Sequence, residues 1–109
     1  MKKTLLTSII VATIGIVNAQ PQTYVPDDNF EKALINLGYD AVLDDSVTTA
    51  NINTVTSLDV DNESIIDLTG IEDFSALTYL DCRSNQLTNL DVSFNDALTD
   101  LRCGFCGLF

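Results

Sequence analysis

VTSLDVDNESIIDLTGIEDFSA (55–76), LTYLDCRSNQLTNLDVSFNDA (77–97) and LTDLRCGFCGLF (98–109) are three copies of one pattern. Aligned, they place Val55, Leu77 and Leu98 in one column and Leu58, Leu80 and Leu101 in a second. Val60, Cys82 and Cys103 form a third, and Ile65, Leu87 and Leu108 a fourth. Every column advances by 22 residues and then by 21. Such a period belongs to stacked repeat proteins, in which each unit buries its apolar side against the next. Glu63, Asn85 and Cys106 share a further column, where the residue is polar or a thiol.

The spacing has a physical cause. Around Leu80-Asp81-Cys82 the side chains alternate in and out as in a short strand, and a return path brings the next strand alongside at about 4.8 Å. The expected fold is an α/β repeat solenoid carrying a parallel sheet of about three strands, with the leucine and cysteine columns inside. An asparagine amide donates and accepts at once, so Asn85 can satisfy backbone groups where the chain turns. Ionised Glu63 cannot donate, and its turn is expected to be solvated.

Upstream, Asp28-Asn29-Phe30-Glu31 reads as a capping box, and Phe30, Ala33, Leu34 and Leu37 recur at helical spacing before Gly38. These residues predict a helix over about 28–37, closed by a left-handed glycine. Gln20 to Val25 is a polar entry without periodicity. Tyr39 to Ala50 reads as a loop, with Val42, Leu43 and Val47 as inward anchors. Residues 20–54 are therefore an expected N-terminal helical cap on repeats 55–76, 77–97 and an incomplete 98–109. Residues 1–19 read as a signal peptide: Lys2 and Lys3 precede an apolar run too short to span a bilayer, and small Ala19 suits cleavage. The expected location is secreted or at the cell surface.

The chain contains 109 residues and no histidine, which excludes a Ser-His-Asp triad, a Cys-His pair and zinc sites built on imidazole. Sixteen acids face five bases, for a net charge of -11. That balance opposes nucleic acid and anionic lipid alike, so the membrane is met only through the leader. Asp59-Val60-Asp61-Asn62-Glu63 opens like a calcium loop, but Ser64 and Gly70 stand where glycine and a bidentate glutamate are needed. Asp81 and Asp100 could pair as carboxylates, yet an open sheet offers no enclosed pocket to separate their roles. No enzyme, metal or cofactor is expected.

The unit Leu77-x-x-Leu80-x-Cys82-x-x-Asn85-x-Leu87 satisfies the leucine-rich repeat pattern. With the phrases Pro26-Asp27-Asp28-Asn29-Phe30-Glu31-Lys32-Ala33-Leu34, Leu68-Thr69-Gly70-Ile71-Glu72-Asp73-Phe74 and Leu77-Thr78-Tyr79-Leu80-Asp81-Cys82, it resembles secreted leucine-rich repeat proteins of the Bacteroidetes type, related in architecture to internalins. The resemblance implies a secreted or surface module that binds protein or glycan without catalysis. Relatives of that kind run on for many more repeats, so the sequence also reads as a truncated fragment of a longer surface protein, poorly functional and prone to self-association through its open repeat end.

Strand alternation assigns a concave binding face to Ser57, Asp59, Asp61, Tyr79, Asp81, Arg83, Asp100, Arg102 and Phe105. Tyrosine, phenylalanine and arginine are the types that anchor interfaces; a merely solvated face is the alternative. Cys82 and Cys103 fall on equivalent positions, which permits either a disulfide or an apolar ladder, and their inward direction favours the ladder. Cys103-Gly104-Phe105-Cys106 matches C-x-x-C, but its cysteines lie on different columns and no second pair completes a metal set.

Overall fold

The computed structural model describes residues 20–104. The signal-peptide expectation and those for Phe105, Cys106 and Leu108 lie outside the described residues. Strands β3 (Ser57–Asp59), β4 (Tyr79–Asp81) and β5 (Asp100–Arg102) form a parallel sheet in that order. Ser57 pairs with Tyr79 and Tyr79 with Asp100; Leu58 pairs with Leu80 and Leu80 with Leu101; Asp59 pairs with Asp81 and Asp81 with Arg102. The 22- and 21-residue steps of the sequence are therefore the register of the sheet. Leu58 and Leu80 are fully buried, whereas Leu101, on the outermost described strand, is 38% exposed. Among the described residues, with one α-helix, two 3-10 turns and two small sheets, the architecture is that of a partial repeat fold.

Asn85 holds the turns after the strands. Its Nδ2 donates to the carbonyls of Val60 and Cys82 at 2.9 and 3.0 Å, and its Oδ1 accepts from the backbone N–H groups of Glu63 and Ile65 at 3.0 Å each. The exposed Glu63 side chain leaves no gap, because the asparagine of the next repeat serves its backbone. Asn62 and Ser84, one period apart, both take the left-handed conformation in these turns, at φ 56° and 60°. The return path has a second column that the leucine pattern does not show. Ile52, Phe74 and Asn95 each donate N–H three residues back and accept three residues forward. Asn95 replaces the apolar filling of its two equivalents with bonds from Nδ2 to the carbonyls of Ile71 and Phe74.

The cap starts with β1 (Gln22–Tyr24), which pairs antiparallel with β2 (Ser46–Thr48). Neither strand was expected from local pattern, and the pairing explains why Val47 is buried. Between them, α1 covers Asp28–Asn36. Its cap is Asp27, not Asp28: Asp27 Oδ1 accepts from Asn29 and Phe30 N–H, while Oδ2 accepts from Ile66 and Asp67 N–H in the first repeat. One carboxylate thus closes the helix and ties it to the repeats. Glu31 does not reach back as a capping box would. It is fully buried and accepts from Asp44 and Asp45 N–H, pinning the loop that the sequence left open.

Three apolar expectations are corrected. Leu37 caps the C-terminal end of α1 and is exposed, as are Val42 and Leu43. The helix turns away before Leu37 can face inward, with Gly38 at φ 91°, and the buried Glu31 holds the loop by the N–H groups of Asp44 and Asp45, leaving Val47 as the one of its three expected anchors that is buried. One continuous core joins cap and repeats, from Val25, Phe30 and Leu34 to Phe74, Leu80 and Leu87. The Phe30 and Phe74 rings stack across the junction with centroids 6.3 Å apart. Gly70 is required there: its φ is 110°, and a Cβ would lie 2.9 Å from the Tyr24 carbonyl and from Val25 Cγ2.

Candidate binding face

Strand alternation turns Leu58, Leu80 and Leu101 to one side and their neighbours to the other. The outward residues form three ranks: Ser57, Tyr79 and Asp100; Asp59, Asp81 and Arg102; then Asp61 and Arg83 just beyond the strands. Ser57, Asp59, Asp61, Arg83, Asp100 and Arg102 are exposed and Tyr79 is half-buried.

Asp81 departs from the expected open face, being only 2% exposed. Arg83 folds over it, with Nε 3.0 Å from Oδ1 and Nη2 2.8 Å from Oδ2, and the Arg83 backbone N–H also reaches Oδ1 at 3.1 Å. Tyr79 Oη lies 3.5 Å from Oδ2. This bidentate fork holds the Asp81 carboxyl below the usual carboxylate range. Asp81 is consequently an anchor that orients Arg83 and Tyr79. Sequence alternation put it among the outward residues but could not show that its neighbours would cover it.

The carboxylates of Asp59, Asp61 and Asp81 converge within 4.8 Å. Asp59, by hydrogen bonding and charge, raises the pKa of Asp61, while Arg83 neutralises Asp81. At the other end of the face, Arg102 Cζ lies 5.6 Å from the Tyr79 ring centroid, and Arg102 Nε is 3.6 Å from Asp100 Oδ1. Tyr79 therefore has its ring under Arg102 and its hydroxyl beside the Asp81 carboxylate that Arg83 grips. Asp81 and Asp100 thus each face a different arginine. Cys82, following β4, is buried, and Cys103 is partly buried against the same core.

The Asp81–Arg83 fork gives a pH prediction. Because the folded pKa of Asp81 is lowered, the stability it contributes is present above the unfolded value and is lost as pH falls through the folded one. Arg83→Ala should melt at a lower temperature than the parent at pH 7, with the gap closing as pH drops below the ordinary aspartate range. Glu31 has the opposite sign, since burial raises its pKa and its contribution fades as pH rises. It is common to both proteins, so the difference between two thermal melts isolates Asp81. A gap that stays constant down to low pH would contradict the assignment.

An in-register parallel ladder, asparagine-held turns and a helical cap make a partial repeat fold that is similar to internalin leucine-rich repeat domains. Over 72 residues the chain is 41% identical to Internalin J of Listeria monocytogenes serotype 4b and 42% identical to Internalin J of serovar 1/2a. These stretches are 66% of this chain, which spans 8% of the length of either curated relative. Among solved structures, an internalin of Listeria monocytogenes matches 75% of this chain and 24% of its own with a TM-score of 0.68 and 29% identity. The functional domain of Internalin J from that species, described as including a cysteine ladder, matches 75% of this chain and 19% of its own, with a TM-score of 0.61 and 39% identity. No family model matches the chain.

Proposed function

We propose that this chain is a secreted or cell-surface leucine-rich repeat module, a helical cap on a short solenoid, that binds a protein partner through the outward face of its parallel sheet and carries out no catalysis. The observation that carries this reading is the set Tyr79, Arg83 and Arg102. The Tyr79 ring lies under the Arg102 guanidinium and its hydroxyl is 3.5 Å from the Asp81 carboxylate that Arg83 grips, while Asp100 stands beside Arg102. Tyrosine and arginine held in place before binding lose little freedom on contact, which is what makes such residues interface anchors. Ser57, Asp59 and Asp61, along and just beyond the neighbouring strand, offer contact area and negative charge. Similarity to internalins supports the surface location, as does the basic-then-apolar pattern of residues 1–19.

The test is site-specific photocrosslinking with p-benzoylphenylalanine placed at Ser57 on the sheet face or at Ser75 on the return path. Protein from the extracellular medium and surface of the producing cells supplies the targets. Adducts are expected from Ser57 and not from Ser75, and Tyr79→Ala should remove them. Equal adducts from both positions would refute the face. Loss of the Ser57 adducts after glycosidase treatment would assign a glycan in place of a protein.

A further inference from the structure

The return segments 67–72 and 89–94 of the first two repeats line a cavity of about 300 Å³ that no residue of the sheet face touches. Leu68 and Ile71, both buried, and Leu90, partly buried, give it an apolar floor. Phe94 contributes an aromatic wall although it is 69% exposed. The repeat itself does not need an aromatic ring there. In the preceding repeat the equivalent residue is Asp73, which accepts a hydrogen bond from Thr23. Phe94 therefore leaves apolar surface in water beside a concavity, without contributing to the core.

Three carboxylates complete the lining: Asp67, Glu72 and Asp91. Each has one oxygen fixed by its own loop. Asp67 Oδ1 accepts from Thr69 N–H, Glu72 Oε1 from Gly70 N–H and Asp91 Oδ1 from Ser93 N–H. The Ser93 side chain adds a further hydrogen bond to the Asp91 carboxylate. The lining contains no cation. Hydrogen bonding from Ser93 lowers the pKa of Asp91 and keeps it charged.

We propose that this cavity receives a lysine or arginine side chain of a partner protein, with the aliphatic stem against Leu90 and Phe94 and the charged head among Asp67, Glu72 and Asp91. Long basic side chains combine an apolar stem with a cationic tip, and an aromatic face adds attraction for the cation. The volume is at the lower end of small-ligand sites, enough for one side chain and small for an oligosaccharide. A second copy is a poor occupant. From residue 20 onward the chain has sixteen carboxylates and only Lys32, Arg83 and Arg102, and both arginines are already paired. Copies of such a chain repel one another. This site lies apart from the sheet face and stands or falls independently of the reading given above.

The experiment is an NMR titration of the uniformly ¹⁵N-labelled protein produced from the full chain. The probes are Nα-acetyl-lysine methylamide and Nα-acetyl-arginine methylamide, with Nα-acetyl-norleucine methylamide and N-acetylglucosamine as controls. Saturable amide shifts confined to 67–72 and 89–94 are expected with the two cationic probes only. The double variant Glu72→Gln/Asp91→Asn and the single variant Phe94→Ala should each weaken them at least fivefold. The altered side chains are solvent-exposed, and unchanged amide spectra elsewhere report that folding is intact. The proposal is overturned if the cationic probes perturb Asp59, Asp61 and Asp100 equally, if either control matches them at this cavity, or if Phe94→Ala binds as the parent does.

Discussion

Replacing Asn85 with alanine is expected to destabilise the protein by about 3–5 kcal/mol, read as a lowered denaturant midpoint at unchanged slope. The substitution removes little apolar area. It leaves the carbonyls of Val60 and Cys82 and the N–H groups of Glu63 and Ile65 without the partner that serves them now. Each such group, when buried, forfeits roughly 1–3 kcal/mol, and water entering the opened turn recovers part of the total. Against a typical domain stability of about 5–15 kcal/mol, this is a large fraction. Asn85→Asp supplies a second arm. It keeps an acceptor for the two N–H groups but directs a carboxylate oxygen at two carbonyls, so it should be no better than alanine at pH 7. It should regain stability at acid pH, when the protonated acid can donate once. An alanine variant within about 0.5 kcal/mol of the parent would show that the turns are held by something else.

Phe74→Ala should be of similar size, about 3–5 kcal/mol, because a fully buried aromatic is removed at the junction of cap and repeats. Phe74 is the residue through which the core of the first repeat meets Phe30 of the cap helix. A double-mutant cycle with Phe30→Leu should return a coupling of roughly 0.5–1.5 kcal/mol, the range for a packed aromatic pair. Since the core runs unbroken from Val25 to Leu87, the parent should unfold in one transition when followed by far-ultraviolet circular dichroism and by tyrosine fluorescence. Two separate transitions would mean that cap and repeats fold independently, and the coupling should then vanish.

The repeats were legible because period and register are the same quantity in a stacked parallel sheet. A column of leucines in the sequence is a column in space, and Leu58, Leu80 and Leu101 needed no further information. The helix was legible for a similar reason, through Phe30, Ala33 and Leu34 on one stripe. Its boundary was less so: the capping-box pattern pointed to Asp28, whereas the cap is Asp27, whose second oxygen also serves the backbone of Ile66 and Asp67. The strands β1 and β2 carry three residues each and no alternation worth reading. They exist because their partners are held together by a helix and loop between them.

The candidate face was readable as a set of positions and not as an arrangement. Alternation says that Tyr79, Asp81 and Arg83 share a side, but not that the guanidinium folds back over the carboxylate. The cavity beside Phe94 left no sequence signal of its own kind, although comparing Phe94 with Asp73 across one period would have flagged an aromatic outside the leucine columns.

By itself the sequence determined which residues recur, and hence which ones stack, because recurrence at a fixed step is a property of the chain alone. Tertiary structure decided the burial of Glu31 and Asp81, the cap on α1 and the hollow between two return paths. The first three depend on which polar group finds its partner across 13 or more residues of chain or across a fold in a side chain, and the hollow on how two return paths pack, choices settled only when the groups occupy the same space.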